Sequence, residues 1–260
     1  MRALSLPGCG CRGAFQFAVM ARLWASGERF DMVAGASSGS ICAAVTVAGL
    51  AVEGPAMWRT MARTPIVSRR WLRTERSIFG MSSIVRDALQ RFLPEDKLWD
   101  TEAELLVSTT RARRFLARQR DALVVHSNRS RRDMHDILVA SCTIPVLYAR
   151  LPVIDGEVHV DGGAADNTLL VALCERGATD VTVVTPYVEG AVSDTLFDRE
   201  RRPRVPPHVR LRLISPRKPL RLGRFDFAAD RLEEALEAEP VVHVIEGDRQ
   251  EPTRASTLGS

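Results

Sequence analysis

The chain has 260 residues, of which 45% are hydrophobic and 26% charged, and its formal net charge is +4. This length suits one α/β domain with a large core, and no stretch approaches the roughly 18 consecutive apolar residues that a membrane-spanning helix needs. The apolar run at the N-terminus is too short for a signal peptide. We therefore expect a single domain over residues 1–260 in the cytoplasm, with at most peripheral membrane contact.

The five cysteines have mostly apolar or glycine neighbours, which is typical of buried thiols and not of a disulfide framework. Cys9 and Cys11 are separated by one residue, which is not the spacing of a zinc site. We expect no metal ion and no cofactor.

Charge is distributed unevenly along the C-terminal part of the chain. Residues 199–224 contain ten Arg or Lys and one acid, and residues 225–260 contain nine acids and three Arg. The basic segment is rich in proline and poor in aromatics, unlike a nucleic-acid-binding module, so we expect no nucleic acid partner. A solvated face that pairs in part with the acidic tail is the favoured interpretation, and contact with anionic lipid is the alternative.

The first elements are a strand over residues 3–6, a glycine-rich loop over residues 8–13 and a helix over residues 14–26. Successive N–H groups of such a loop, at the start of a helix, form a cradle for an anion. The anion is either a phosphate or the oxyanion of an acyl-transfer intermediate. The loop lacks the Gly-Lys-Ser/Thr ending of a nucleotide-binding P-loop.

Residues 30–49 pass from an apolar run through Gly35, Ser37 and Gly39 into a helix-compatible stretch. This G-x-S-x-G pattern predicts a sharp strand-to-helix turn that exposes the serine hydroxyl at a helix N-terminus. Ser37 is therefore a candidate nucleophile.

Residues 50–80 interleave apolar and arginine side chains. A helical hairpin packed on the core is the slightly favoured interpretation, and a lid or lipid-facing surface is the alternative. The patterns that follow predict helices at 83–93 and 133–141, and strands at 105–109, 114–117 and 123–126.

Residues 153–160 form a predicted hairpin with Asp-Gly at its turn, and its second strand leads into Asp161, Gly162 and Gly163. A carboxylate held at a strand end before two glycines is a candidate catalytic group. The later patterns predict strands at 181–185, 209–214 and 241–245, and an acidic helix at 227–239.

Taken in order, these motifs resemble the patatin-like phospholipase family. The loop is similar to the family's G-G-G-x-[KR]-G, with Cys9 at the middle glycine, and Ser37 and Asp161 occupy its G-x-S-x-G and D-G-[GA] motifs. Ala140–Tyr148 looks like its A-S-x-A-x-P-x-x-F block. The resemblance covers about residues 3–215 and implies a three-layer α/β/α fold with a mostly parallel central sheet, on which 216–260 would pack as an extension.

The resemblance implies a metal-independent lipid acyl hydrolase that acts on phospholipids or other fatty-acyl esters. Ser37 would be the nucleophile of a Ser37–Asp161 dyad, and an acyl-enzyme would form. The expected oxyanion donors lie in the loop made of Gly8, Cys9, Gly10, Cys11, Arg12 and Gly13. Arg12 would border the mouth of the site or form a structural ion pair.

Three alternatives remain at this point. The protein could bind lipid with little turnover, or it could pass the acyl group to an alcohol instead of water. A Ser-His-Asp arrangement with His208 or His243 would replace the dyad.

Overall fold

The computed structural model describes residues 1–115, 122–145, 147–148, 150–203, 207–226 and 228–247. Its β-strands form one mixed sheet. The strands are β1 (Arg2–Leu6), β2 (Met32–Gly35), β3 (Glu104–Arg111), β4 (Leu123–Ser127), β5 (Val153–Ile154), β6 (Glu157–Asp161), β7 (Asp180–Val184), β8 (Arg210–Pro216) and β9 (Pro240–Glu246).

The centre of the sheet is parallel, as the sequence predicts. The strand order is β5-β6-β3-β2-β1-β7-β8-β9, and β4 pairs with β3 outside this path. Strands β3, β2, β1, β7 and β8 run parallel to one another, and β4, β5, β6 and β9 join antiparallel. The carboxyl ends of β1 and β2 therefore lie at the same edge, where α/β proteins place their sites.

Helices cover both faces of the sheet. They are α1 (Gly13–Ala25), α2 (Ser38–Val47), α3 (Gly54–Ala62), α4 (Trp71–Thr74), α5 (Met81–Phe92), α6 (Ala112–Phe115), α7 (Met134–Ser141), α8 (Leu170–Glu175) and α9 (Ala229–Glu237). Four 3-10 turns are also described: Gly10–Arg12, Glu95–Leu98, Gly162–Ala164 and Val188–Gly190.

Two hydrophobic clusters define the three layers. Successive strand residues point to opposite faces, so Leu4 joins the larger cluster under α1, α2, α3 and α5, whereas Ala3 joins the smaller cluster with Leu173 of α8. The α/β/α architecture is thereby confirmed.

Most predicted elements are present within a few residues of their expected ends, but one strand prediction is wrong. The predicted strand at 114–117 begins inside helix α6, and residues 116 and 117 lie outside the described residues. An apolar run this short has no periodicity that separates strand from helix. The predicted Asp-Gly hairpin is confirmed, with positive φ at both Asp155 and Gly156.

The described part of 216–247 lies against the rest of the chain. Arg22 donates to the carbonyls of Leu236 and Ala238, and β9 pairs with β8 along its whole length. Arg217 pairs with Glu239 at 2.8 Å, so basic and acidic segments do meet in part. That residues 1–260 form one domain stays a prediction.

No helix among the described residues is long and apolar enough to span a bilayer.

Candidate active site

The turn after β2 has the geometry of a nucleophile elbow. Ser37 has φ 51° and ψ −131°, a backbone conformation that few non-glycine residues adopt, and α2 begins at the next residue. A Cβ at Gly39 would lie 1.9 Å from the carbonyl oxygen of Leu6, so glycine is required where α2 crosses the end of β1. Gly35 closes β2 in the same turn.

Ser37 and Asp161 are in direct contact although 124 positions separate them in the chain. The Ser37 hydroxyl donates to Oδ2 of Asp161 at 2.6 Å, and the N–H of Gly163 donates to Oδ1 at 2.9 Å. Asp161 ends β6, and Gly162 packs against Ser108 of β3. The carboxylate is therefore held on rigid backbone with one oxygen reserved for the serine.

Burial sets the proton affinity of this carboxyl. Asp161 is 3% exposed, and loss of hydration raises its pKa to about 7, although the hydrogen bonds from Ser37 and Gly163 act in the opposite direction. A carboxylate with this pKa is a far better proton acceptor at neutral pH than an exposed aspartate.

The block at 140–148 positions both partners, a role that its sequence did not reveal. The Ser141 hydroxyl accepts the N–H of Ser37 at 3.0 Å, and the Thr143 carbonyl accepts the N–H of Asp161 at 2.8 Å. Ala140 is buried in the core and Tyr148 lines the cleft beside Ser37. Val146, within the same block, lies outside the described residues.

The glycine-rich loop lies beside Ser37, but several of its N–H groups already donate within the protein. The acceptors are Asn167 Oδ1 for Gly8, Ser38 Oγ for Cys9, the Arg224 carbonyl for Cys11, and the Gly10 and Cys11 carbonyls for Gly13. Gly10 has φ +60° and lines the cleft next to Ser37. Of the six loop residues expected to supply oxyanion donors, Gly8, Cys9, Cys11 and Gly13 thus already have protein acceptors for their N–H groups.

Two residues that hold the loop were missed from the sequence. Asn167 accepts from the Gly8 N–H at 2.8 Å and donates to the Gly8 carbonyl at 3.1 Å, so it fixes the loop opposite Ser37. Arg224 supplies the carbonyl for Cys11, and its guanidinium donates to Tyr187 and Leu196. A lone Asn and an Arg in a basic run give no pattern from which these contacts follow.

Cys9 and Arg12 both have structural contacts. Cys9 has φ −150°, which a residue with a side chain adopts freely, and burial raises the pKa of its thiol to about 12. The Arg12 guanidinium donates from Nε to the Leu222 carbonyl at 2.8 Å and lies over the ring of Tyr187. Within the part of the chain that the structure describes, Arg12 makes this carbonyl contact and forms no ion pair.

An apolar cleft opens from Ser37. Its walls include Ile41 of α2, Trp58 and Met61 of α3 and Ile84 of α5, and a second apolar pocket on the Asp161 side shares Ser37 with it. A cleft of this composition suits a hydrocarbon chain.

The histidines considered for a triad lie elsewhere. His243, on β9, has Nε2 3.2 Å from the Ser215 hydroxyl, and His208 is exposed in a loop. Among the residues that the structure describes, no histidine forms a hydrogen bond with the Ser37 hydroxyl or the Asp161 carboxylate.

The fold and this Ser-Asp geometry define the class of the protein as an α/β protein with a serine elbow. The profile of the patatin-like phospholipase family matches residues 4–173, more than half of the chain, and the chain belongs to that family. The description of that family names a phospholipase. The match ends earlier than the predicted position near residue 215.

Among solved structures, VipD from Legionella pneumophila is similar, with a TM-score of 0.42 and 14% identity. The alignment covers 72% of this chain and 50% of the VipD chain, so this chain spans about half of that protein's length. No curated protein matches the sequence.

Proposed function

We propose that this protein hydrolyses fatty-acyl esters through a Ser37–Asp161 dyad, without a metal ion. The observation that carries the proposal is the 2.6 Å hydrogen bond from the Ser37 hydroxyl to the buried Asp161 carboxylate, at the opening of an apolar cleft.

In the first half of the reaction, Ser37 Oγ attacks the ester carbonyl while its proton passes to Asp161 Oδ2. The carbonyl electron pair moves onto oxygen, and the N–H of Gly10 is the donor that we propose for that oxyanion. One such donor contributes about 3–4 kcal/mol to transition-state stabilisation. When the carbon–oxygen bond breaks, the leaving alcohol takes the proton from Asp161 and the acyl group stays on Ser37.

In the second half, water attacks the acyl-enzyme and gives its proton to Asp161. Collapse of the intermediate returns that proton to Ser37 Oγ and releases the fatty acid. A pKa of about 7 suits a group that must accept and release a proton in each half-reaction.

The direct test is hydrolysis of the p-nitrophenyl ester of a fatty acid. We expect Ser37→Ala and Asp161→Asn each to abolish release of p-nitrophenol, and the matched control His243→Ala to keep most of it. If His243→Ala abolished activity and Asp161→Asn remained active, a histidine would be the base and the dyad would be wrong.

A second candidate function, lipid binding with little turnover, is favoured by one observation. The N–H groups of Gly8, Cys9, Cys11 and Gly13 donate to protein acceptors, which leaves fewer donors for an oxyanion. Saturable binding of a fatty acid by a protein that releases no p-nitrophenol would support this candidate.

A further inference from the structure

The segment between α3 and α5, residues 63–79, forms a surface with unusual charge. It contains five exposed arginines and one acid, and we refer to it as the 63–79 surface. The arginines are Arg63, Arg69, Arg70, Arg73 and Arg76.

These arginines differ from those elsewhere in the protein. Every ion pair described in the structure contains an arginine, yet none within the described residues involves the five on this surface. The acid of the segment, Glu75, is only 7% exposed and accepts the N–H of Ser83 at 2.6 Å. Its carboxylate is turned inward, so the surface presents positive charge to solvent.

Large apolar side chains lie among the arginines. Val67, Leu72 and Ile78 are 59%, 50% and 45% exposed. Val67 and Phe79 form an antiparallel bridge, and the N–H of Ser68 donates to the Ile78 carbonyl at 2.9 Å. These backbone contacts therefore fix the positions of Val67 and Ile78 relative to each other.

The surface is folded and fixed to the core. Trp71 is buried, and its indole Nε1 donates to the Pro65 carbonyl at 3.0 Å. The guanidinium of Arg70 lies over the ring of the same Trp71, 4.0 Å from its centroid. The backbone that carries the exposed groups is thus anchored at Trp71.

The same segment also forms a wall of the cleft. Ile66 lines the apolar cleft at Ser37, next to Met61 at the end of α3. The 63–79 surface and the cleft at Ser37 therefore share this segment.

We propose that the 63–79 surface docks on a lipid bilayer that contains anionic headgroups. The guanidinium groups bind lipid phosphates, and the three apolar side chains enter the interfacial region. The exposed apolar groups favour a bilayer over a nucleic acid, whose backbone offers them no partner. This inference does not depend on turnover at Ser37.

The test is co-sedimentation of the 260-residue Ser37→Ala protein with vesicles, because this variant is expected to leave the lipids intact. We expect it to bind vesicles of phosphatidylcholine with phosphatidylglycerol and to bind vesicles of phosphatidylcholine alone much more weakly. Added salt should weaken the binding, since the attraction is between exposed charges.

Added substitutions locate the surface. Arg69→Gln with Arg73→Gln should lower the partition coefficient roughly thirtyfold, from the usual contribution of a basic residue at an anionic bilayer. The matched control is Arg29→Gln with Arg176→Gln, which removes the same charge from two exposed positions near the amino ends of β2 and β7. This control should change binding by about twofold or less. Leu72→Ser should lower binding roughly fivefold.

Three results would overturn the proposal. They are equal binding to both vesicle types, equal loss in the two double variants, and binding to a single-stranded oligonucleotide but not to vesicles. If circular dichroism shows that Arg69→Gln with Arg73→Gln is unfolded, Arg63→Gln with Arg76→Gln gives the same comparison.

Discussion

From the burial of the Asp161 carboxyl we predict how the free energy of unfolding depends on pH. The pKa of this carboxyl is about 7 in the folded chain, against an ordinary value of 3.8. Because the folded state keeps a proton that the unfolded chain releases, the contribution of this carboxyl to stability is fully present below about pH 4 and is lost as the pH rises through about 7. The difference in proton affinity corresponds to about 4 kcal/mol.

Asp161→Asn isolates this effect. The amide is nearly isosteric, and its oxygen and nitrogen can still meet the Gly163 N–H and the Ser37 hydroxyl, but it does not titrate. The free energy of unfolding of the variant minus that of the wild type should therefore rise by about 4 kcal/mol between about pH 4 and about pH 8. Titrations common to both proteins cancel in this difference.

The assay is urea unfolding of both proteins over that pH range. Ser37→Ala is the matched control, because it keeps the carboxyl and removes a hydrogen bond that lowers its pKa. The free energy of unfolding of this control should still decrease with rising pH, and the decrease should extend to higher pH than in the wild type. A difference between Asp161→Asn and wild type that does not change with pH would show that burial does not perturb this carboxyl.

Three further predictions follow from the site. kcat/KM for a fatty-acyl ester should rise with pH through an apparent pKa of about 7, and a flat profile would contradict Asp161 as the base. Gly39→Ala should destabilise the fold by roughly 4 kcal/mol or more in urea unfolding, because its Cβ would overlap the Leu6 carbonyl. The control Gly27→Ala should cost only about 1 kcal/mol, because the space around Gly27 is open and only its φ of +86° opposes a side chain. Iodoacetamide should modify half-buried Cys174 in the native protein and spare Cys9 until unfolding, and the reverse order by peptide mass spectrometry would refute the burial described.

The sequence could predict the elements whose constraints are local. The elbow requires glycine at Gly39 because a helix crosses a strand end there, and the hairpin requires Asp155 and Gly156 because both have positive φ. Each of these requirements restricts which residue types fit at a fixed spacing along the chain, so it can be recognised in the amino-acid sequence. Glycines at such spacing indicated Ser37, and Asp161 followed from its position at a strand end.

Contacts between distant parts of the chain could not be predicted in this way. Asn167 accepts a hydrogen bond from the Gly8 N–H, and the Arg224 carbonyl accepts one from the Cys11 N–H. Both contacts form because the order of the strands in the sheet brings these distant segments together. Neither contact restricts the types of the residues that neighbour Asn167 or Arg224 along the chain. A backbone carbonyl, moreover, is present in every residue. That the N–H groups of Gly8 and Cys11 already have acceptors could be seen only in the three-dimensional structure.

The central claim is that the Ser37 hydroxyl is activated by Asp161. Its most direct measurement is reaction of the wild-type protein with a fluorophosphonate, followed by peptide mass spectrometry. We predict one adduct, on Ser37, which forms much more slowly in Asp161→Asn and at normal rate in His243→Ala. No adduct on Ser37, or an unchanged rate in Asp161→Asn, would contradict the account.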